Sequence, residues 1–194
     1  MSAPYEIVAG PLTLWLAPVG TTFPAIDAAP SGTWIKVGTS GDKNYDEGGV
    51  TVSHGQTVET FTPAGSTGPR KAFRTEEALE IGLTLVDLSP EQYAQALNNA
   101  TVTTVSAGVG TAGQKHFPLQ RGLDVALFAL LARGKSTVLD SLASQYEVPV
   151  VFENGSPAPV FDKGAPAGLE LSFLALEDAT TGFGKVREQT AVAS

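Results

Sequence analysis

Three short segments have spacings that could do chemistry. Gly108-Val-Gly110-Thr-Ala-Gly113 has the GxGxxG spacing of a dinucleotide-binding turn. Such a turn works when its third glycine opens a helix whose N-terminus holds the pyrophosphate. Here Gln114-Lys-His-Phe-Pro118 follows, and Pro118 stops a helix. The segment reads as a Gly-rich loop. Gly134-Lys135-Ser136 has the ending of a phosphate-binding loop, but the place of the first glycine, 129, is Ala. Strand-like residues precede it, so the cradle of successive N–H groups cannot form, and a strand-to-strand turn is expected. Asp42-Lys-Asn44-Tyr-Asp46 has calcium-loop spacing. Its sharp-turn position is Glu47 instead of Gly, and its bidentate position is Ser53 instead of Glu. It reads as a solvated or docking loop.

The remaining reactive residues are sparse. His54 and His116 are the two histidines, and the chain has no cysteine. A catalytic zinc site therefore lacks ligands, and disulfides and thiolate sites are excluded. No carboxylate pair stands out as acid and base, and nothing resembles a nucleophile elbow. The expectation is a protein without enzymatic activity, bound metal or cofactor. One basic cluster remains, Pro69-Arg70-Lys71-Ala-Phe-Arg74. Two readings of Arg70, Lys71 and Arg74 stay open: an edge strand protected by charge, or a surface that meets acidic groups on a neighbouring copy of the chain.

The elements around these residues are mostly strands. The chain is 194 residues long, enough for one domain with a core. Its 21 Gly and 13 Pro fall between short apolar runs, which favours many turns and an all-β protein. The net charge is −8, with 11 acidic against 5 basic residues before position 100. That is not the basic footprint of a nucleic-acid binder. The start, Met1-Ser-Ala-Pro-Tyr-Glu, lacks the charged and apolar regions of a signal peptide. No apolar run reaches the ~20 residues that cross a bilayer, so no membrane binding is expected.

Leu12, Leu14 and Leu16 alternate with polar or larger residues, and Thr33–Gly38 forms the next strand. Residues 39–49 form a long polar loop. Val50–His54 and Gln56–Thr62 are strands around a bulge or tight turn at Gly55. In Glu76–Asp87, Leu79, Ile81, Leu83 and Leu85 share one face, and Glu76, Glu80 and Thr84 the other. A helix is expected over 89–98. Ser89 suits the N-cap, Pro90 the first turn and Gln92 a capping box, with Leu88 and Tyr93 at the staple positions. Asn98 and Asn99 can take the left-handed cap. Leu123–Leu131 is apolar on both faces, as in a central or intersubunit strand, and Tyr146–Glu153 and Leu169–Ala175 alternate. Residues 1–10 and 180–194 look like arms flanking one domain, 11–179. The fold class is thus mainly β, a β-sandwich or partly open barrel with one flanking α-helix.

This order of elements resembles the major tail (tail tube) protein of long-tailed bacteriophages. The carrying features are Trp34-x-x-x-Gly38, the acidic loop at 41–49, the strand start at Arg74-Thr75, and the Leu79–Leu85 strand running into the Ser89-Pro90 helix. The likeness covers roughly residues 12 to 97 and rests on order more than on any single motif. It implies a virion structural protein, assembled in the bacterial cytoplasm, that forms rings, typically hexameric. The rings stack into the conduit for genome delivery. The implied partners are other copies of the chain, other phage tail proteins, and DNA passing through the lumen. By position, the resemblance assigns ring stacking to Gly41, Asp42, Lys43, Asn44, Tyr45, Asp46 and Glu47, with the terminal arms. Glu76, Glu80 and Thr84 are then candidates for the lumen face. Related readings are a tail-terminator or baseplate subunit and the tube protein of a bacterial injection machine. A carbohydrate-binding β-sandwich using Trp15, Trp34 and Tyr45 is a third.

Overall fold

The computed structural model describes residue 8, residues 10–139 and residues 141–192. The elements run β1 (Thr13–Pro18), β2 (Ile35–Lys36), a 3-10 turn (Gly41–Asn44), β3 (Tyr45–Phe61), β4 (Lys71–Leu85) and α1 (Pro90–Ala96). They continue with β5 (Thr103–Val105), β6 (Gln114–His116), β7 (Leu127–Lys135), β8 (Ala143–Glu153), β9 (Leu169–Ala175) and β10 (Lys185–Glu188). The protein is mainly β, with 44% strand and 6% helix. One antiparallel sheet has the order β2-β1-β7-β8-β9-β4-β3, with β10 also on β8. β5 and β6 form a separate hairpin.

The sheet curls without closing, because β8 serves two neighbours on one edge. β10 pairs with its first half, Ser144–Glu147, and β9 with its end, Val151–Glu153. Pro149 lies between the two, where the β7–β8 register also shifts. Proline offers no N–H to a ladder and sits at bulges when it occurs inside a sheet. The curl brings the inner faces of both halves together. Leu14, Leu16, Leu130 and Val148 from one half pack with Ile81, Leu83, Leu85, Leu171 and Phe173 from the other. Each such aliphatic side chain contributes about 1.5–3 kcal/mol by leaving water.

The outer face of β1 and β7 is covered as well. Trp34 and Ala129 pack there with Leu131, and Phe23 lies 5.2 Å from the Trp34 ring. The 18–34 loop is tied down by Arg133, which donates to the Ala25 carbonyl (2.9 Å), and by Gln145, which donates to Pro24 (3.2 Å). This explains why the β7 sequence is apolar on both faces: its second cover comes from its own chain. The strand begins only at Leu127, however, and Leu123 is fully exposed.

Four expectations are corrected. β3 runs through Gly55 without interruption, since Gly55 pairs in register with Ala78; the irregularities lie between Tyr45 and Val50 and at Thr75, the extra residue of β4 opposite the Thr57–Val58 step. The strand around Trp34 is reduced to Ile35–Lys36. The polar segment 39–49 is not a free loop: its middle is a 3-10 turn and its end is the first part of β3. Residues 185–188 of the expected C-terminal arm form β10. Residues 1–7 and 9 of the N-terminal arm lie outside the described residues.

The helix spans Pro90–Ala96, and Asn98 and Asn99 adopt left-handed φ of 62° and 55°. Its capping box is absent. Ser89 makes no side-chain cap bond, and its N–H donates to Asp87 Oδ1 (3.0 Å). Gln92 instead accepts the Gly38 N–H through Oε1 (3.0 Å), which fixes the helix against the turn after β2.

Candidate assembly interface

The β3–β4 hairpin dominates the surface. Its inner part is integrated, since β9 pairs with β4 from Glu80 to Leu85. Beyond Glu80, among the described residues, the two strands pair only with each other, out to Phe61 and Lys71. Residues 53–77 of the hairpin are exposed along both faces of both strands. A two-stranded ribbon in water gains little from burial and is marginal by itself. Val58, Phe61 and Phe73 are nevertheless 47%, 56% and 44% exposed on it. Phe61 faces Lys71 across the ladder and Phe73 faces Glu59, which puts the two rings diagonally on one face. Among the described residues, the outer edge of β3 has no neighbouring strand over its length, an unpaired template of the kind that seeks a partner.

The expected basic cluster lies at the tip of this hairpin. Arg70 and Lys71 are exposed, and Lys71 Nζ sits 5.2 Å above the Phe73 ring. Arg74 is less available: Nε donates to Gln56 (3.1 Å), and Nη1 meets Glu77 at 3.5 Å.

The segment expected to stack rings lies at the other end. Gly41 is buried, at φ +70°; a Cβ there would meet the Lys36 and Thr13 side chains at 2.8 Å. Asp42 accepts the Thr13 hydroxyl proton (2.9 Å). Tyr45 is a core residue. Its hydroxyl accepts from the Leu14 N–H (3.0 Å) and donates to the Val37 carbonyl (2.9 Å). Burial pushes its phenol up to about 12, with a smaller push from the nearby Asp42 carboxylate. Lys43, Asp46 and Glu47 remain at the surface, the last two on the bulge between Tyr45 and Val50.

Glu80 and Thr84 lie on the outer face of the sheet, as the alternation of β4 requires, and Glu76 follows on the arm. Glu80 accepts from the Ser172 hydroxyl, and Glu76 from Thr57 (3.2 Å). Glu80 and Thr84, with Thr51, Ser53, Glu170 and Ser172, border a shallow polar trough of about 360 Å³ floored by Gly82, and Glu76 lies outside it. The trough contains small hydroxyls and carboxylates and no base.

Two buried carboxylates of β8 escaped the sequence reading: Glu153, which meets Arg121 at 3.4 Å, and Glu147. Glu147 of β8 is 1% exposed and joins β8 to β10, with Arg187 Nε at 3.1 Å and Lys185 Nζ at 3.5 Å. Gln145 donates to it as well (2.6 Å). The alternation of Glu147 with Tyr146 and Val148 looks like a solvent-facing position, and only the covering loop and β10 make it an inner one.

The chemical motifs resolve into structural roles. Gly108 and Thr111 bridge within the β5–β6 connection, and a strand follows Gly113 instead of a helix. Lys135 ends β7, and Ser136 begins the turn to β8. Among the described residues, no three His, Cys, Asp or Glu side chains gather as metal ligands, and no helix is long and apolar enough to cross a membrane. Neither a protein-family model nor a curated protein matches the chain.

Proposed function

We propose that this protein is a self-assembling structural subunit of a phage tail tube, acting without enzymatic chemistry and without a cofactor. The observation that carries the reading is the two-stranded arm beyond Glu80, exposed on both faces and bearing Phe61 and Phe73. Such a ribbon is costly to leave in water and is stabilised by packing on a neighbour. The open edge of β3 adds main-chain groups that another strand can satisfy. The order of elements, similar to that of tail tube proteins, supplies the kind of assembly: stacked rings in a virion, put together in the bacterial cytoplasm, with the genome passing through the lumen. The polar trough around Gly82 suits a wall that DNA should not stick to.

Negative-stain microscopy of concentrated protein tests this. Long tubes are expected. Replacing Gln56–Glu77 by an Asn-Gly turn, which can join Gly55 to Ala78, should leave β circular dichroism intact and abolish them. Monodisperse monomers of the unaltered protein at high concentration would sink the reading. Isolated rings would favour a tail-terminator, baseplate or injection-machine subunit. The sugar-binding alternative loses two of its three platform aromatics, because Trp34 and Tyr45 are buried.

A further inference from the structure

We propose that the acidic cleft at the base of the β3–β4 hairpin receives the hairpin tip of a second copy of this chain. The inference rests on the self-assembly proposed above and names its contact. The cleft, about 790 Å³, lies between the start of β3 and the β10 side of the sheet. Its described lining carries Asp42, Asp46, Glu47 and Glu188 against the single cation Lys135. Asp46 and Glu47 project from the bulge as exposed carboxylates. Glu188 is held as a carboxylate by hydrogen bonds from Thr137 and Ser136, which keep its pKa below the usual range. Among the described residues, β3 and β10 each present an edge with no further strand, which offers main-chain donors and acceptors to an incoming ribbon.

The tip has the matching chemistry. Arg70 and Lys71 supply two exposed cations, and Phe61 supplies an exposed ring for Val186, which lines the cleft and is 58% exposed. Between the Tyr45–Leu85 pair and the Phe61–Lys71 pair lie about 14 residues of β4, or roughly 45 Å of ladder. A chain therefore cannot place its own tip in its own cleft. The contact joins unlike surfaces of like chains, and it extends into an open stack when its rotation does not close.

Charge reversal in trans tests the contact. Arg70→Glu with Lys71→Glu makes tip and cleft both acidic, and Asp46→Lys with Glu47→Lys makes both basic. Each variant alone should need at least tenfold more protein to form tubes, with unchanged circular dichroism. Mixed in equal amounts they should co-assemble near the wild-type concentration, since each tip then meets an opposite cleft. Assembly of either variant alone at the wild-type concentration overturns the inference while leaving tube formation standing, and so does a mixture no better than its components. Failure of the wild type itself to assemble removes the underlying reading instead. Glu47→Cys with Lys71→Cys in this cysteine-free chain gives a second readout. Oxidation should link chains into ladders, and an absence of interchain crosslinks in intact tubes overturns the proposal.

Discussion

Tyr45 places its hydroxyl 3.0 Å from the Leu14 amide, although β3 and β1 stand near opposite ends of the sheet order and share no ladder. The same hydroxyl donates to Val37. One side chain therefore stitches the two ends of a sheet that curls but does not close. Tyr45→Phe leaves a buried N–H and a buried carbonyl without this partner, and should cost about 1–3 kcal/mol. A denaturation midpoint equal to wild type would show that the seam is held elsewhere.

The same phenol gives an alkaline signature. Burial pushes its pKa in the folded protein up to about 12, from an ordinary phenol value of about 10. Both states are protonated below pH 10, so the full stability is present there. Between pH 10 and 12 the unfolded chain ionises first, and stability should fall by about 1.4 kcal/mol per pH unit from this group. Tyr45→Phe should lack that component. Equal alkaline slopes in the two proteins would contradict the assignment.

The helix start should be insensitive to the residue that suits its cap. Ser89→Ala removes no helix-capping bond, only a hydroxyl contact to the Asp87 carboxylate, so its effect should stay below about 0.5 kcal/mol. Gln92→Ala removes the acceptor of the Gly38 N–H and should cost about 1–2 kcal/mol. Thermal melts of the pair decide it, and the reverse ranking would restore the capping-box expectation.

Glu147 ties β10 to the sheet. Removing both ion-pair partners, by Lys185→Ala with Arg187→Ala, leaves a carboxylate that is 1% exposed with only the more distant charge of Arg133. The cost should be about 2–4 kcal/mol, below that of a fully buried pair because both cations are about half exposed. Adding Glu147→Met should recover most of it. Urea unfolding of the three proteins checks the order, and a triple variant as weak as the double would refute the charge argument.

If the outer face of β4, from the trough around Gly82 out to Glu76, lines the lumen, Glu76→Lys with Glu80→Lys should still assemble. It should then deliver DNA more slowly, because new phosphate contacts form within a screening length of ~8–10 Å. Added salt should partly restore the rate. Wild-type delivery kinetics with intact tubes would put this face on the outside.

The sequence reveals an element when its own neighbours decide it. Leu79 to Leu85 alternates because one face is core and the other is not, and that period survives in the structure. Asn98 and Asn99 take the left-handed conformation their side chains tolerate. Legibility fails where a distant partner decides. Tyr45 reads as one polar-loop residue among many, yet Leu14 and Val37 draw it inward. Gln92 has the spacing of a cap and is used by Gly38, 54 residues away. Gly55 looks like a break because glycine weakens a strand, but Ala78 across the ladder leaves room for the chain to continue. In the candidate interface the two charged clusters are visible in the sequence. Their placement at opposite ends of one hairpin depends on the β3–β4 register, which two bulges shift.

The outer arm also works as a ruler. Among the described residues its pairs beyond Glu80 touch no third strand, so its length can change without disturbing the core. One residue added to each strand would turn Phe61 and Lys71 to the opposite face. Two added to each would restore their facing and move the tip outward by about 7 Å. Lengthening in steps of two per strand could therefore reset the axial spacing of a stack, while the fold beneath it stays the same.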